Sequence, residues 1–136
     1  MSNEKTLTNL KEIIREFTDS QSDVKGQIVI AYPAGVPIVN TWKGEIDPIL
    51  VGALSAAVKL TFRYLCQKLR KGNLKRLYMN SDHGRVIIQD AGKNAILTTI
   101  IDKNADLFRI AFGMSNLSYQ LEELLEGFTL EVSDID

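Results

Sequence analysis

Residues 47 to 72 constrain this chain more than any other stretch, because they carry more apolar surface than one side of a small domain can cover. Asp47-Pro48 has the pattern of an N-cap followed by proline at the first helical position, and Gly72-Asn73 the pattern of a stop. At about 100° per residue, Leu50, Val51, Leu54, Val58, Phe62, Leu65 and Leu69 form one broad stripe. Ala53, Ala56, Ala57, Leu60 and Tyr64 form a second beside it. Only Gly52, Ser55, Lys59, Arg63 and Arg70 occupy a polar wedge, which a helix normally turns to water. The apolar arc is about twice the roughly 100° that an ordinary surface helix buries. The excess needs a second cover, and the small residues of the second stripe allow another helix to approach closely. The expectation is self-association through that stripe.

Length and composition agree with a single domain. A chain of 136 residues buries about two thirds of its unfolded surface, and 45% hydrophobic residues with only 3 prolines excludes a disordered chain. The net charge of -1 provides no basic field, so nucleic acid is not expected as a partner. One cysteine, Cys66, excludes an internal disulfide and fits a reducing compartment. The N-terminus lacks a charged-then-apolar leader, and no continuous apolar run approaches the roughly 20 residues that span a bilayer. A cytoplasmic protein without an integral membrane segment is expected.

The remaining elements follow from periodicity. Leu7, Leu10, Ile14 and Phe17, with Ile13 alongside, predict an amphipathic helix over 6–18 that lies flat on a sheet. Strands are predicted over 26–32 and 36–42, joined by the Pro33-Ala34-Gly35 turn. Three more, over 74–80, 85–89 and 95–101, are joined by short turns as an antiparallel meander. Ser81-Asp82-His83-Gly84 is read as a hairpin turn with a positive φ at the glycine. A last helix over about 104–126 carries Leu107, Ile110, Met114, Leu117, Leu121 and Leu124 on one face. On another it carries Phe108, Phe112 and Tyr119, an aromatic ridge expected to pack against the first helix. The centre of the strand over 26–32 and those of the inner meander strands are apolar, which calls for cover on both faces. The fold expected is a three-layer α/β sandwich: a five-stranded, mainly antiparallel sheet, the long helix on one face and the N- and C-terminal helices on the other. It occupies residues 1–126, with an acidic tail over 127–136 in which Phe128 to Val132 alternate as in a strand. The strand after the long helix is expected at a sheet edge, where pairing with a second copy satisfies its backbone and brings the two long helices together. The contact residues predicted are Ala53, Ala56, Ala57, Leu60, Tyr64, Leu77 and Met79.

Catalytic material is sparse. The single histidine, His83, sits in a turn without a positioned nucleophile. No glycine-rich phosphate loop or Cys/His spacing for a metal occurs, and no cofactor is expected. Asp82, Asp90, Asp102 and Asp106 are read as turn formers and caps rather than a metal site. Lys68, Arg70, Lys71, Lys75 and Arg76 cluster around the end of the long helix, where they complement its dipole. The chain is therefore not expected to be an enzyme.

With the elements in this order, the sequence resembles the roadblock family, named for dynein light chains. The likeness is carried by Val24-Lys25-Gly26-Gln27-Ile28-Val29-Ile30, Gly35-Val36-Pro37-Ile38 and the helix segment Ala53-Leu54-Ser55-Ala56-Ala57. It continues through Leu77-Tyr78-Met79-Asn80-Ser81, His83-Gly84, Val86-Ile87-Ile88, Ala95-Ile96-Leu97-Thr98 and Ala105-Asp106-Leu107. What the resemblance implies is a homodimer, or a heterodimer with a related roadblock chain, in which the central helices pack and the following strands pair. It also implies a non-catalytic platform that binds and regulates or scaffolds a Ras-like small GTPase. The alternative it implies is an adaptor light chain that binds a peptide segment of a motor or transport complex.

Overall fold

The structure, a computed structural model, describes residues 3–126. The expected tail over 127–136, with its alternating segment, lies outside the described residues. The elements run α1 (Asn3–Ser20), β1 (Val24–Ala31), β2 (Pro37–Asn40), α2 (Pro48–Lys68), β3 (Arg76–Ser81), β4 (Gly84–Asp90), β5 (Ala95–Ile101) and α3 (Leu107–Leu125). This is the predicted order. The five strands form one sheet in the order β2-β1-β5-β4-β3, and every neighbouring pair is antiparallel.

Strand alternation sorts the side chains between two cores. Leu10 and Ile14 of α1 and Ile110, Met114, Leu117 and Leu121 of α3 pack with Val29, Ile87, Leu97 and Ile101 on one face of the sheet. On the other face Ile28, Ile30, Tyr32, Ile88 and Ile96 meet Ala56, with Val51 and Val58 alongside. The three-layer sandwich is thus formed. Below α1, buried Gln27 donates to Thr99 Oγ1 at 3.0 Å, and Thr18 Oγ1 donates to its Oε1 at 3.3 Å, so the amide has partners on both sides.

Local chemistry sets the helix ends. Asp47 Oδ1 accepts from the backbone N–H groups of Ile49 and Leu50, and Pro48 occupies the first helical turn. At the other end α2 stops earlier than the glycine suggested. Arg70, not glycine, turns the chain first, with φ 58, and Gly72 follows with φ 82. Lys71 N–H then bonds the Cys66 carbonyl at 2.8 Å, which satisfies one of the helix's last acceptors. Asp106 caps α3 in the same manner as Asp47 caps α2. In the β3–β4 turn the predicted positive φ at Gly84 is not found: Ser81 pairs with Gly84 across a loop of Asp82 and His83, and Gly84 is already strand. A Cβ there would stand 3.2 Å from the Ile101 carbonyl oxygen, so close approach explains the glycine instead.

Two expectations about helices are corrected. The aromatic ridge of α3 does not pack on α1. Phe108, Phe112 and Tyr119 are 89%, 73% and 74% exposed, because Ile110, Met114, Leu117 and Leu121 take the core side directly opposite. By length and composition α2 is also apolar enough to cross a membrane, with a mean hydropathy of 1.5 in its most apolar window. A search for continuous runs stops at Gly52, Ser55 and Lys59, whereas an average over the helix passes through them. Those three residues seat α2 on the sheet.

Candidate functional site

The face that α2 turns to its own sheet is the one read as its polar wedge. Gly52, Ser55, Ala56 and Lys59 recur at helical spacing and are its buried residues. At Gly52 the helix comes so close to the β1–β2 turn that a Cβ would lie 2.4 Å from the Gly35 carbonyl oxygen. Gly35 itself has φ 80, a conformation open to glycine, so two glycines meet where helix and turn touch. One turn on, Thr98 Oγ1 of β5 and Ser55 Oγ are hydrogen bonded at 3.0 Å inside the protein. Another turn on, Lys59 pairs with Asp90 at the end of β4 and holds its ammonium 4.2 Å from the centroid of the Tyr32 ring. Lys59 is buried while Asp90 is 45% exposed, so the pair is half screened by water. Replacing Lys59 with alanine is therefore expected to cost about 1 kcal/mol rather than the larger penalty of breaking a fully buried pair. Urea unfolding of the variant checks this.

With the polar side inward, the apolar side points outward. The broad stripe is exposed at Leu50, Leu54, Phe62, Leu65 and Leu69, and only Val51 and Val58 reach the sheet. Of the predicted contact residues on α2, Ala53, Ala57, Leu60 and Tyr64 are exposed, the last two at 53% and 60%. Ala56 is not available: it is buried against the chain's own Ile28 and Ile88 core. Its neighbours in the predicted stripe lie roughly 100° or more from the sheet-facing line on the helix wheel, which Ser55 and Lys59 set by reaching their partners on the sheet. Only 17% of the most apolar window of α2 is buried by this chain.

The sheet is incompletely covered on the same side. The α2 backbone lies closest to β1 and β2, at one edge, and the helix reaches β5 and β4 through the side chains of Ser55, Ala56 and Lys59. At the other edge lies β3, which pairs with β4 alone and leaves its second row of backbone groups unpaired by any strand of the described residues. Leu77 and Val86 are only half-buried on the α2 side, and Met79 is exposed. The arrangement joins a bare apolar helix, a half-covered sheet face and an open strand edge. Packing and strand addition by another chain satisfy all three.

The other charged residues singled out from the sequence are dispersed. Asp102 lies 3.9 Å from Lys25, Asp90 holds Lys59, Asp106 caps α3 and Asp82 is exposed in the turn with His83. Among the described residues no three of His, Cys, Asp or Glu come together as a metal site. Arg76 leaves the basic cluster for the opposite face, where it donates to Tyr78 Oη and Ser115 Oγ, each at 3.2 Å. Lys68 stays exposed over the Tyr64 ring, 5.0 Å from its centroid. A groove of about 920 Å³ lies between the β1–β2 turn, the β4–β5 turn and the end of α3. Its wall combines Ala31, Ile38 and Leu125 with Lys93, Glu122 and Glu123.

Comparison with known proteins agrees with this architecture. No family model matches the chain. Two uncharacterised proteins of Methanocaldococcus jannaschii, MJ1340 and MJ0310, are each 25% identical over 101 residues, 74% of this chain and 87% of theirs. Among solved structures, MglB of Myxococcus xanthus superposes with a TM-score of 0.82 at 14% identity, over 93% of this chain and 94% of that one. A Roadblock/LC7 domain from Streptomyces avermitilis gives 0.78 at 12% identity, over 85% and 97%. The gliding protein MglB from Thermus thermophilus gives 0.76 at 15%, over 93% of each chain.

Proposed function

Because this chain has the roadblock fold, we propose that it is a non-catalytic dimeric module that binds a Ras-like small GTPase and regulates it or holds it in place. The observation that carries the reading is the apolar face of α2, turned away from its own sheet and accompanied by the unpaired edge of β3. In the proposed dimer two α2 helices pack through Ala53, Ala57, Leu60 and Tyr64, and the β3 strands pair edge to edge beside Leu77 and Met79. The partner helix then covers the half-buried face that α2 leaves open. A closed twofold assembly of this kind exposes no further edge at β3. A solved structure of the same fold, MglB, is described in a tetrameric arrangement, which supports association of such chains. The sequence resemblance to the roadblock family supports the GTPase as partner and a regulator rather than an enzyme.

A regulator of this kind acts by binding one nucleotide state of the GTPase more tightly than the other, and it shifts the equilibrium by that difference alone. The test is a titration of the dimer with a purified Ras-like GTPase from the same source, loaded with GDP or with a non-hydrolysable GTP analogue. The expected result is at least about a tenfold difference in affinity, about 1.4 kcal/mol of coupling. Equal affinities leave a tether, and no binding in either state removes the GTPase from the reading. Capture of an extended or helical peptide without any GTPase marks the adaptor instead.

A further inference from the structure

We propose that the outer face of α3 is a second self-association surface, on which two copies of the chain lay their α3 helices side by side and antiparallel. The face is defined by Phe108, Phe112 and Tyr119. They lie on one stripe directly opposite the buried Ile110, Met114, Leu117 and Leu121, and all are largely exposed. Three bulky aromatic residues aligned on one helix, none against its own chain's core, form an exposed aromatic strip, broken at its centre by Ser115 and Asn116, of the kind that marks an interaction site. The strip is separate from the outward face of α2, since α2 and α3 lie on opposite sides of the sheet.

A second copy fits because the stripe is complementary to itself. Its charges are ordered along the helix: Arg109 stands in the first turn, and Glu122, Glu123 and Glu126 at the other end. A twofold axis passing near Ser115 and Asn116, at the middle of the helix, sets Phe112 against the partner's Tyr119. The same axis sets Arg109 against the partner's Glu123. Both contacts occur twice. Arg109 already bonds Asp23 at 3.0 Å, yet a guanidinium has donors to spare and this one remains exposed. Antiparallel pairing also places the positive end of each helix dipole beside the negative end of the other. At the centre stand two short polar side chains, exposed Asn116 and half-exposed Ser115, the latter accepting from Arg76.

One helix of about 28 Å on each side gives a small interface, so the association is weak and depends on concentration. Added to the α2 and β3 dimer, an isologous contact on the far side of each protomer links dimers into four-chain or longer assemblies.

The experiment is sedimentation velocity of the whole chain from about 10 µM to about 500 µM, a range that spans weak association. It compares the wild type with Phe112→Glu, Arg109→Glu, Glu123→Arg and the Arg109→Glu/Glu123→Arg pair, with circular dichroism as the check on folding. The expected result is a wild-type mass that rises above two chains with concentration, and a Phe112→Glu variant that stays at two. Either charge reversal alone weakens the higher assembly by about tenfold or more, and the pair restores it. A mass that Phe112→Glu leaves unchanged at every concentration, or a double reversal without recovery, overturns the proposal. Failure of the α2 dimer reads differently, as a wild-type dimer that Phe112→Glu splits and Leu60→Glu does not.

Discussion

Replacing Leu60 with glutamate is expected to turn a dimer into a folded monomer. Leu60 is more than half exposed on its own chain and belongs to neither buried cluster, so the substitution leaves the isolated fold almost untouched, within about 0.5 kcal/mol. In the proposed dimer it stands at the centre of the α2 contact, beside Ala57 and Tyr64, where a carboxylate is stripped of water twice, once from each protomer. An unpaired charge buried in an apolar contact costs about 3 kcal/mol or more, which is over a hundredfold in affinity. Solution mass by light scattering at a few tens of micromolar is expected to fall by half while the far-ultraviolet dichroism is retained. A wild type that is already monomeric under those conditions removes the α2 contact and the regulatory reading built on it.

Gly52→Ala is expected to destabilise the fold, against the ordinary sign of the change. In an open helix the added methyl favours the helical state by about 1 kcal/mol. Here the new Cβ would sit 2.4 Å from the Gly35 carbonyl oxygen and 3.3 Å from Pro37 Cδ. The first of these is backbone in a tight turn and has no rotamer to yield, so α2 must lift from the sheet and strain its Ser55 and Lys59 contacts. Overpacking of this sort costs about 1 to 3 kcal/mol, and with rigid backbone as the obstacle we expect the upper part of that range, about 1 to 2 kcal/mol net of the propensity gain. The measurement belongs in the Leu60→Glu background, because unfolding of a dimer also depends on protein concentration. A raised unfolding midpoint there contradicts the close seating of α2. In the wild-type background the same substitution weakens the dimer, since tilting α2 misaligns the face it presents.

Much of the architecture is legible in the residues. The period of the apolar positions gives each element its type, and Asp47-Pro48 marks the start of α2. The strand over Ala95–Ile101 is found with its predicted limits, because Asp102 and the turn before Ala95 bound a run of aliphatic and β-branched residues. The position of β3 at the edge follows from its place directly after a long crossover helix. Less legible is the candidate surface. Ala53, Ala57, Leu60 and Tyr64 are outward, Ala56 is not, and most of the larger stripe, at Leu50, Leu54, Phe62, Leu65 and Leu69, is outward too. The helix wheel counts apolar area without knowing what waits on the sheet below it.

The sequence by itself determined that α2 has more apolar circumference than this chain can bury, because that is a property of spacing along one helix. Only the tertiary structure decided which side is inward. Thr98 and Asp90, some 43 and 31 residues beyond Ser55 and Lys59, supply the hydrogen bond and the charge that those side chains need, and Gly35 leaves room for Gly52. A buried polar group is stable when its partner is present and costly when it is not. That partner lies on a distant strand, so no local pattern reveals that the wedge belongs inside and the apolar stripes outside.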